Sequence, residues 1–131
     1  MEFEMKTNHA VIWLDHKEAH ILFFDTAKNT IIRSESSQTH LHHKANEIGS
    51  GNAPEDHHYF ARIISQVSDV VEILIVGPGF AKGELLKHAT HYEPLIAKHI
   101  IGLETVDHPS DGQILAYAKQ YFKRFEQLKT E

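Results

Sequence analysis

Three sets of side chains in this sequence have types and spacings that could do chemistry. The first is acidic: Asp15, Glu104 and Asp107 lie at or near the ends of apolar runs. Carboxylates converging at strand ends can hold two metal ions for in-line phosphoryl transfer, the chemistry of a metal-dependent hydrolase or nuclease. The plainer role for Asp15 is to shape a turn, and for Asp107 to cap one. The second set is imidazole. Of twelve histidines, His40, His42 and His43 crowd one stretch beside Lys44, His57 and His58 follow it, and His88 and His91 stand three apart. His40 and His42 share a face if the strand before them extends that far, and with His57 they offer enough nitrogen for zinc or nickel. No H-E-x-x-H spacing occurs, and solvated or phosphate-pairing histidines fit the pattern better. No metal and no cofactor is therefore expected. The third set is Gly77, Pro78, Gly79 and Lys82, placed before a helical pattern as a phosphate cradle would be. The spacing does not match G-x-x-x-x-G-K-[ST], and Pro78 has no amide to donate. The expectation is a tight structural turn, with Lys82 solvated or reaching a carbonyl.

The elements that position these groups are legible in the apolar pattern. Ile73 to Val76 is a continuous aliphatic run, the mark of a strand covered on both faces. It ends at the Gly-Pro-Gly turn, and Leu85, Leu86 and Ala89 then follow at helical spacing. Upstream, Ala10–Leu14, Ala19–Phe24 and Thr30–Ser34 read as a three-stranded meander. Val11 and Trp13 take one face of the first strand, Ile12 and Leu14 the other. From Glu35 to Asp56 the sequence is polar and histidine-rich, which predicts a long loop, and loops of that length are functional or disordered. A helix is predicted from Pro54, with Asn52 as candidate N-cap and Phe60, Ile63, Ile64 and Val67 as its core stripe. Pro94–Lys98 reads as a short helical piece, and Ile100 to Val106 as a fifth strand interrupted by Gly102. Ser110 and Gln113 have capping-box spacing before a last helix with the stripe Leu115, Ala118, Phe122 and Phe125.

The order β-β-β-α-β-α-β-α predicts an α/β fold with a mixed, five-stranded sheet and helices packed on it. With parallel crossovers, the Asp15 turn, the loop 38–56, the Gly-Pro-Gly turn and the Asp107–His108 turn gather at one pole.

Composition bounds the rest. The 131 residues fit a single domain, 1–131, with a core over about 8–126. Such a domain buries roughly two thirds of its unfolded surface. The chain has no cysteine, which excludes disulfides and thiolate metal sites. Its start lacks the basic-then-apolar pattern of a signal peptide and no run is long enough to span a bilayer, so a cytoplasmic protein without membrane contact is expected. A formal charge of −5 argues against a field that attracts nucleic acid over the whole surface, although histidine protonation reduces it.

Against this background, ILIVGPGFAK resembles the Gly-Pro-Gly segment in the central domain of archaeal and eukaryotic peptide-chain release factors and of Pelota. AVIWLDHKEAHILFF is similar to the first hairpin of that domain. HLHHK, VGPG, LLKH and ETVDHPSDGQ further resemble a small group of stand-alone bacterial translational-machinery proteins. The resemblance covers about Asn8 to Phe125 and implies a ribonuclease H-like arrangement and a role at the ribosome. Where release factors carry Gly-Gly-Gln, this chain has Gly49, Ser50, Gly51 and Asn52. The Asn52 carboxamide matches glutamine in donors and acceptor but is one methylene shorter, and a misplacement of about 1 Å can cost a hundredfold in rate. The resemblance thus implies an accessory translation factor without Gly-Gly-Gln peptidyl-tRNA hydrolysis. Its expected contacts to RNA or ribosomal protein are His40, His42, His43, Lys44, Gly49, Gly51 and Asn52. The alternatives are the hydrolase built on Asp15, Asp107 and nearby histidines, and a protein-interaction module or homo-oligomer.

Overall fold

The computed structural model describes residues 9–24, 28–35 and 54–129. Five strands form one sheet: β1 (His9–Leu14), β2 (Glu18–Phe23), β3 (Asn29–Arg33), β4 (Glu72–Gly77) and β5 (Ile100–Thr105). The helices are α1 (Pro54–Gln66), α2 (Ala81–Tyr92), the single turn α3 (Pro94–Ala97) and α4 (Asp111–Lys129). The sheet order is β3-β2-β1-β4-β5. Pairings β1–β2 and β2–β3 are antiparallel, and β1–β4 and β4–β5 are parallel. The mixed five-stranded sheet expected from the sequence is therefore present.

Strands β1 and β4 are buried along their whole length because both faces are covered. Ala10, Ile12 and Leu14 face one layer with Ile73 and Ile75, against Tyr59, Phe60, Ile63, Ile64 and Val67 of α1 and Leu85 and Ala89 of α2. Val11 and Trp13 face the other with Leu74 and Val76, against Ile114, Ala118 and Phe122 of α4. Each fully buried aliphatic side chain contributes about 1.5–3 kcal/mol relative to exposure. Two sequence expectations shift in phase. The inner residue at the start of α4 is Ile114, while Leu115 is only partly buried; Ile114, Ala118 and Phe122 form a straight i, i+4, i+8 row on the sheet. Strand β5 is continuous through Gly102, with the irregularity absorbed as a register shift, since Ile73 pairs with Ile100 but Leu74 with Gly102.

The turns follow local chemistry. Gly77 ends β4 where an added Cβ would collide with the Leu14 carbonyl oxygen, so the close approach of β1 and β4 requires glycine. Ser110 and Gln113 form the expected capping box: the Ser110 amide donates to Gln113 Oε1 at 2.9 Å, and the Gln113 amide to Ser110 Oγ at 3.2 Å. Among the described residues, no helix is long and apolar enough to cross a membrane.

Candidate functional site

The carboxyl ends of β1, β4 and β5 and the start of β2 meet at one pole, the arrangement expected from the topology. The end of β3 joins them, as the Ser34 amide donates to the Lys17 carbonyl at 2.8 Å. Asp15 organises the β1–β2 hairpin. Its Oδ1 accepts the amides of Lys17 and Glu18 at 2.8 and 2.9 Å, an Asx-turn arrangement. Its backbone carbonyl accepts the Tyr59 hydroxyl at 2.9 Å, which fastens the hairpin to α1. Burial, reinforced by the charge of Asp15, pushes the Tyr59 phenol far above its ordinary pKa, so it remains a donor.

Across the pole, the Trp13 indole donates to the Asp107 carbonyl at 2.8 Å and places the β5–α4 turn over the end of β1. This turn presents His108 between two carboxylates. Its Nδ1 lies 3.1 Å from Asp107 Oδ1, its Nε2 lies 3.7 Å from Asp15 Oδ2, and its ring centroid is 5.1 Å from that of Trp13. The imidazole is exposed. Beside it opens a cleft of about 540 Å³ whose wall includes Val76, Ile114 and Tyr117 and whose polar groups include Asp107, His108 and Gln113. The Tyr117 phenol is raised above its ordinary pKa by burial and by the charge of Glu104.

On the far side of Trp13, His20 is held at both nitrogens, Nδ1 2.9 Å from Asp111 Oδ1 and Nε2 3.0 Å from Glu18 Oε2. Partial burial opposes its protonation, but the hydrogen bonds and charges of Glu18 and Asp111 together outweigh that effect and raise its pKa above the ordinary value. Glu18 also meets Arg33 Nε at 3.4 Å. These contacts link β2, β3 and α4 around the indole.

The structure thus brings Asp15 and Asp107 to one histidine, but it does not assemble the three-carboxylate set. Glu104 is instead a hydrogen-bond partner of Tyr121. Among the described residues, no set of three metal-ligating atoms at this pole lies within 4.8 Å of one another. At the Gly77–Pro78–Gly79 turn, Lys82 Nζ donates to the Gly79 carbonyl at 2.6 Å, the structural outcome expected for that lysine. His57 lies in an aromatic cluster with His88 and Tyr92, at ring distances of 4.9 and 4.7 Å. His40, His42, His43, Lys44, Gly49, Gly51 and Asn52 lie outside the described residues, and β3 ends at Arg33. Sequence reading missed Trp13, His20, Glu18 and Asp111 as members of the pole. Its one available signal was a polar His20 on the same face as Leu22 in an otherwise apolar strand. It also did not single out Phe80, which is 83% exposed just after the Gly-Pro-Gly turn.

Neither a protein-family model nor a curated protein sequence matches the chain. Solved structures do. The Pelota protein of Thermoplasma acidophilum superposes over 86% of this chain with a TM-score of 0.61 at 18% identity. Dom34 of S. cerevisiae, described as a translation termination-like factor involved in RNA quality control pathways and interacting with Hbs1, superposes over 77% with a TM-score of 0.51 at 13% identity. The archaeal translation termination factor aRF1 superposes over 95% with a TM-score of 0.51 at 12% identity. The match covers 32%, 30% and 41% of those three chains respectively, so this chain corresponds to well under half of each. At these identities the likeness is one of fold: the chain has the α/β architecture, built on a mixed five-stranded sheet, that recurs within Pelota, Dom34 and the archaeal termination factor.

Proposed function

We propose that this protein is an accessory factor of translation that docks on the ribosome, through RNA or ribosomal protein, at the pole from which the segment 36–53 departs and to which it returns. The observation that carries this reading is the shared fold with Pelota, Dom34 and aRF1 over most of the chain. Two contacts at the pole support this reading. The segment leaves beyond β3, whose end is bonded to the hairpin turn, and returns at α1, which is fastened to the same turn through Tyr59 and Asp15. In this proposal His42, His43, Lys44 and Asn52 of that segment are the contact set. Phosphate contacts from Lys44 and protonated histidines would weaken as salt rises.

The test is co-sedimentation with ribosomes from a lysate, comparing wild type with a variant lacking residues 45–54 and with His42→Ala and Lys44→Ala. Pelleting of the wild type that falls with salt, and falls at least severalfold in the variants, is expected. Recovery of all four proteins in the supernatant under gentle conditions would end this reading.

A hydrolytic reading rests on a different observation, the approach of His108 to Asp107 and Asp15 beside a cleft. In this second proposal Asp107 orients the His108 ring, His108 Nε2 takes a proton from water as it attacks an ester or phosphoester held in the cleft, and the imidazolium returns that proton to the alcohol oxygen as its bond to carbon or phosphorus breaks. A single-turnover assay on aminoacyl-ester and phosphodiester substrates decides it. Activity should fall at least a hundredfold in His108→Gln and less in Asp107→Asn; equal rates in the wild type and His108→Gln would sink it.

A further inference from the structure

At the opposite end of the sheet from this pole, His9 opens β1, Glu72 opens β4 and Glu126 lies in the last turns of α4. One ligand atom from each falls within 4.8 Å of the other two, the one such group of three among the described residues. His9 and Glu72 are each only 6% exposed, a depth at which a polar side chain needs partners. They lack them. His9 Nε2 and Glu72 Oε1 approach to 2.9 Å, but the contact falls outside hydrogen-bond geometry, and both His9 nitrogens and Glu72 Oε1 are left without a hydrogen bond. Leaving such groups unpaired costs about 1–3 kcal/mol each. The His9 ring is also fixed in place, edge-on to Phe122 at 4.6 Å and 6.2 Å from Phe24.

Positive charge already gathers here. Lys129 Nζ lies 3.1 Å from Glu72 Oε2 and 3.5 Å from Glu126 Oε2, while its side chain is half exposed. An ammonium on the last helical turn, able to swing into solvent, marks a position where a cation satisfies two carboxylates at once.

We propose that His9, Glu72 and Glu126 form a binding site for a first-row divalent cation, with zinc as its best-suited occupant. One imidazole nitrogen and two carboxylates are a borderline donor set, and water completes four-coordination on the side Lys129 vacates. A 2+ ion meets the unpaired Glu72 oxygen and one His9 nitrogen together and balances the two carboxylates. Bound there, it ties the end of α4 to the starts of β1 and β4, so its effect is on stability rather than on chemistry at the pole.

The test is titration of EDTA-treated, dialysed protein with Co²⁺, read by its visible absorption, followed by displacement with Zn²⁺ and by thermal unfolding with and without Zn²⁺. One tight equivalent with tetrahedral-type bands, displaced by Zn²⁺, is expected, with a melting temperature raised by several degrees. His9→Phe should fold, since its new ring joins Phe24 and Phe122, yet bind at least tenfold more weakly and lose the zinc-dependent shift. Glu126→Gln, on a partly exposed helical position, should also lose tenfold or more. Lys129→Met, which removes the competing ammonium, should bind more tightly. Unchanged affinity in both His9→Phe and Glu126→Gln would place the metal on other histidines and overturn the site. A wild-type melting temperature indifferent to excess Zn²⁺ would overturn it equally.

Discussion

Two histidines on opposite sides of the sheet should bend the pH dependence of stability in opposite senses. His20, between Glu18 and Asp111, has a raised folded-state pKa, so its contribution is fully present below the unfolded value of about 6.5 and fades as pH rises through the folded value. His88 is buried beside His57 and His91; burial first, then those neighbouring charges, lower its pKa. The unfolded chain therefore takes up that proton more readily, and stability falls as pH drops from about 6.5 through the lowered value. Urea midpoints measured from pH 5 to 8 should show His20→Gln losing the advantage below pH 6.5, and His88→Phe flattening the acid limb. A His20→Gln curve parallel to wild type across that range would refute the first assignment. Little of this was legible beforehand. His20 and Asp111 are 91 residues apart, and Trp13 and Asp107 are 94 apart, so their pairing depends on the fold placing β1, β2 and α4 side by side. Asp15 was legible as a turn former because its partners are two and three residues away.

At the scale of elements, the unit β4, Gly-Pro-Gly turn and α2 was readable because its signals are local: a continuous aliphatic run, a break and a helical stripe. The phase of α4 was not, since choosing Ile114 over Leu115 requires knowing where Trp13 and Val76 lie. The sequence also did not disclose why Gly77 must be glycine; that reason belongs to the neighbouring strand. Gly77→Ala places a methyl against the Leu14 carbonyl and should cost about 1–3 kcal/mol, read as a lowered urea midpoint. Gly79→Ala meets nothing within 4 Å and should fall within about 0.5 kcal/mol of wild type. Equal effects at the two positions would show that strand proximity is not the constraint.

For the whole molecule, one sheet is shared by two apolar layers, and β1 contributes alternate residues to each. Damage to either layer should therefore be felt in the same unfolding transition. Ile12→Ala, beneath α1 and α2, and Ile114→Ala, on the sheet-facing side of α4, should each cost about 2–5 kcal/mol and lower one common midpoint followed by far-UV circular dichroism and by Trp13 fluorescence. Two separated transitions would mean that the layers unfold independently. The α/β class and the five strands were foreseeable because β-branched runs and helical stripes alternate along the chain. The ligand-like group of His9, Glu72 and Glu126 was not, because its members come from three distant elements.

The contact of Tyr59 with Asp15 has a mechanical meaning. The phenol works as a strut between α1, which receives the chain returning from residue 53, and a turn whose carboxylate reaches toward His108. Any displacement of α1 is thereby carried into the hairpin turn. The strut's length is set by a rigid ring, so the two ends cannot drift independently while its hydrogen bond holds.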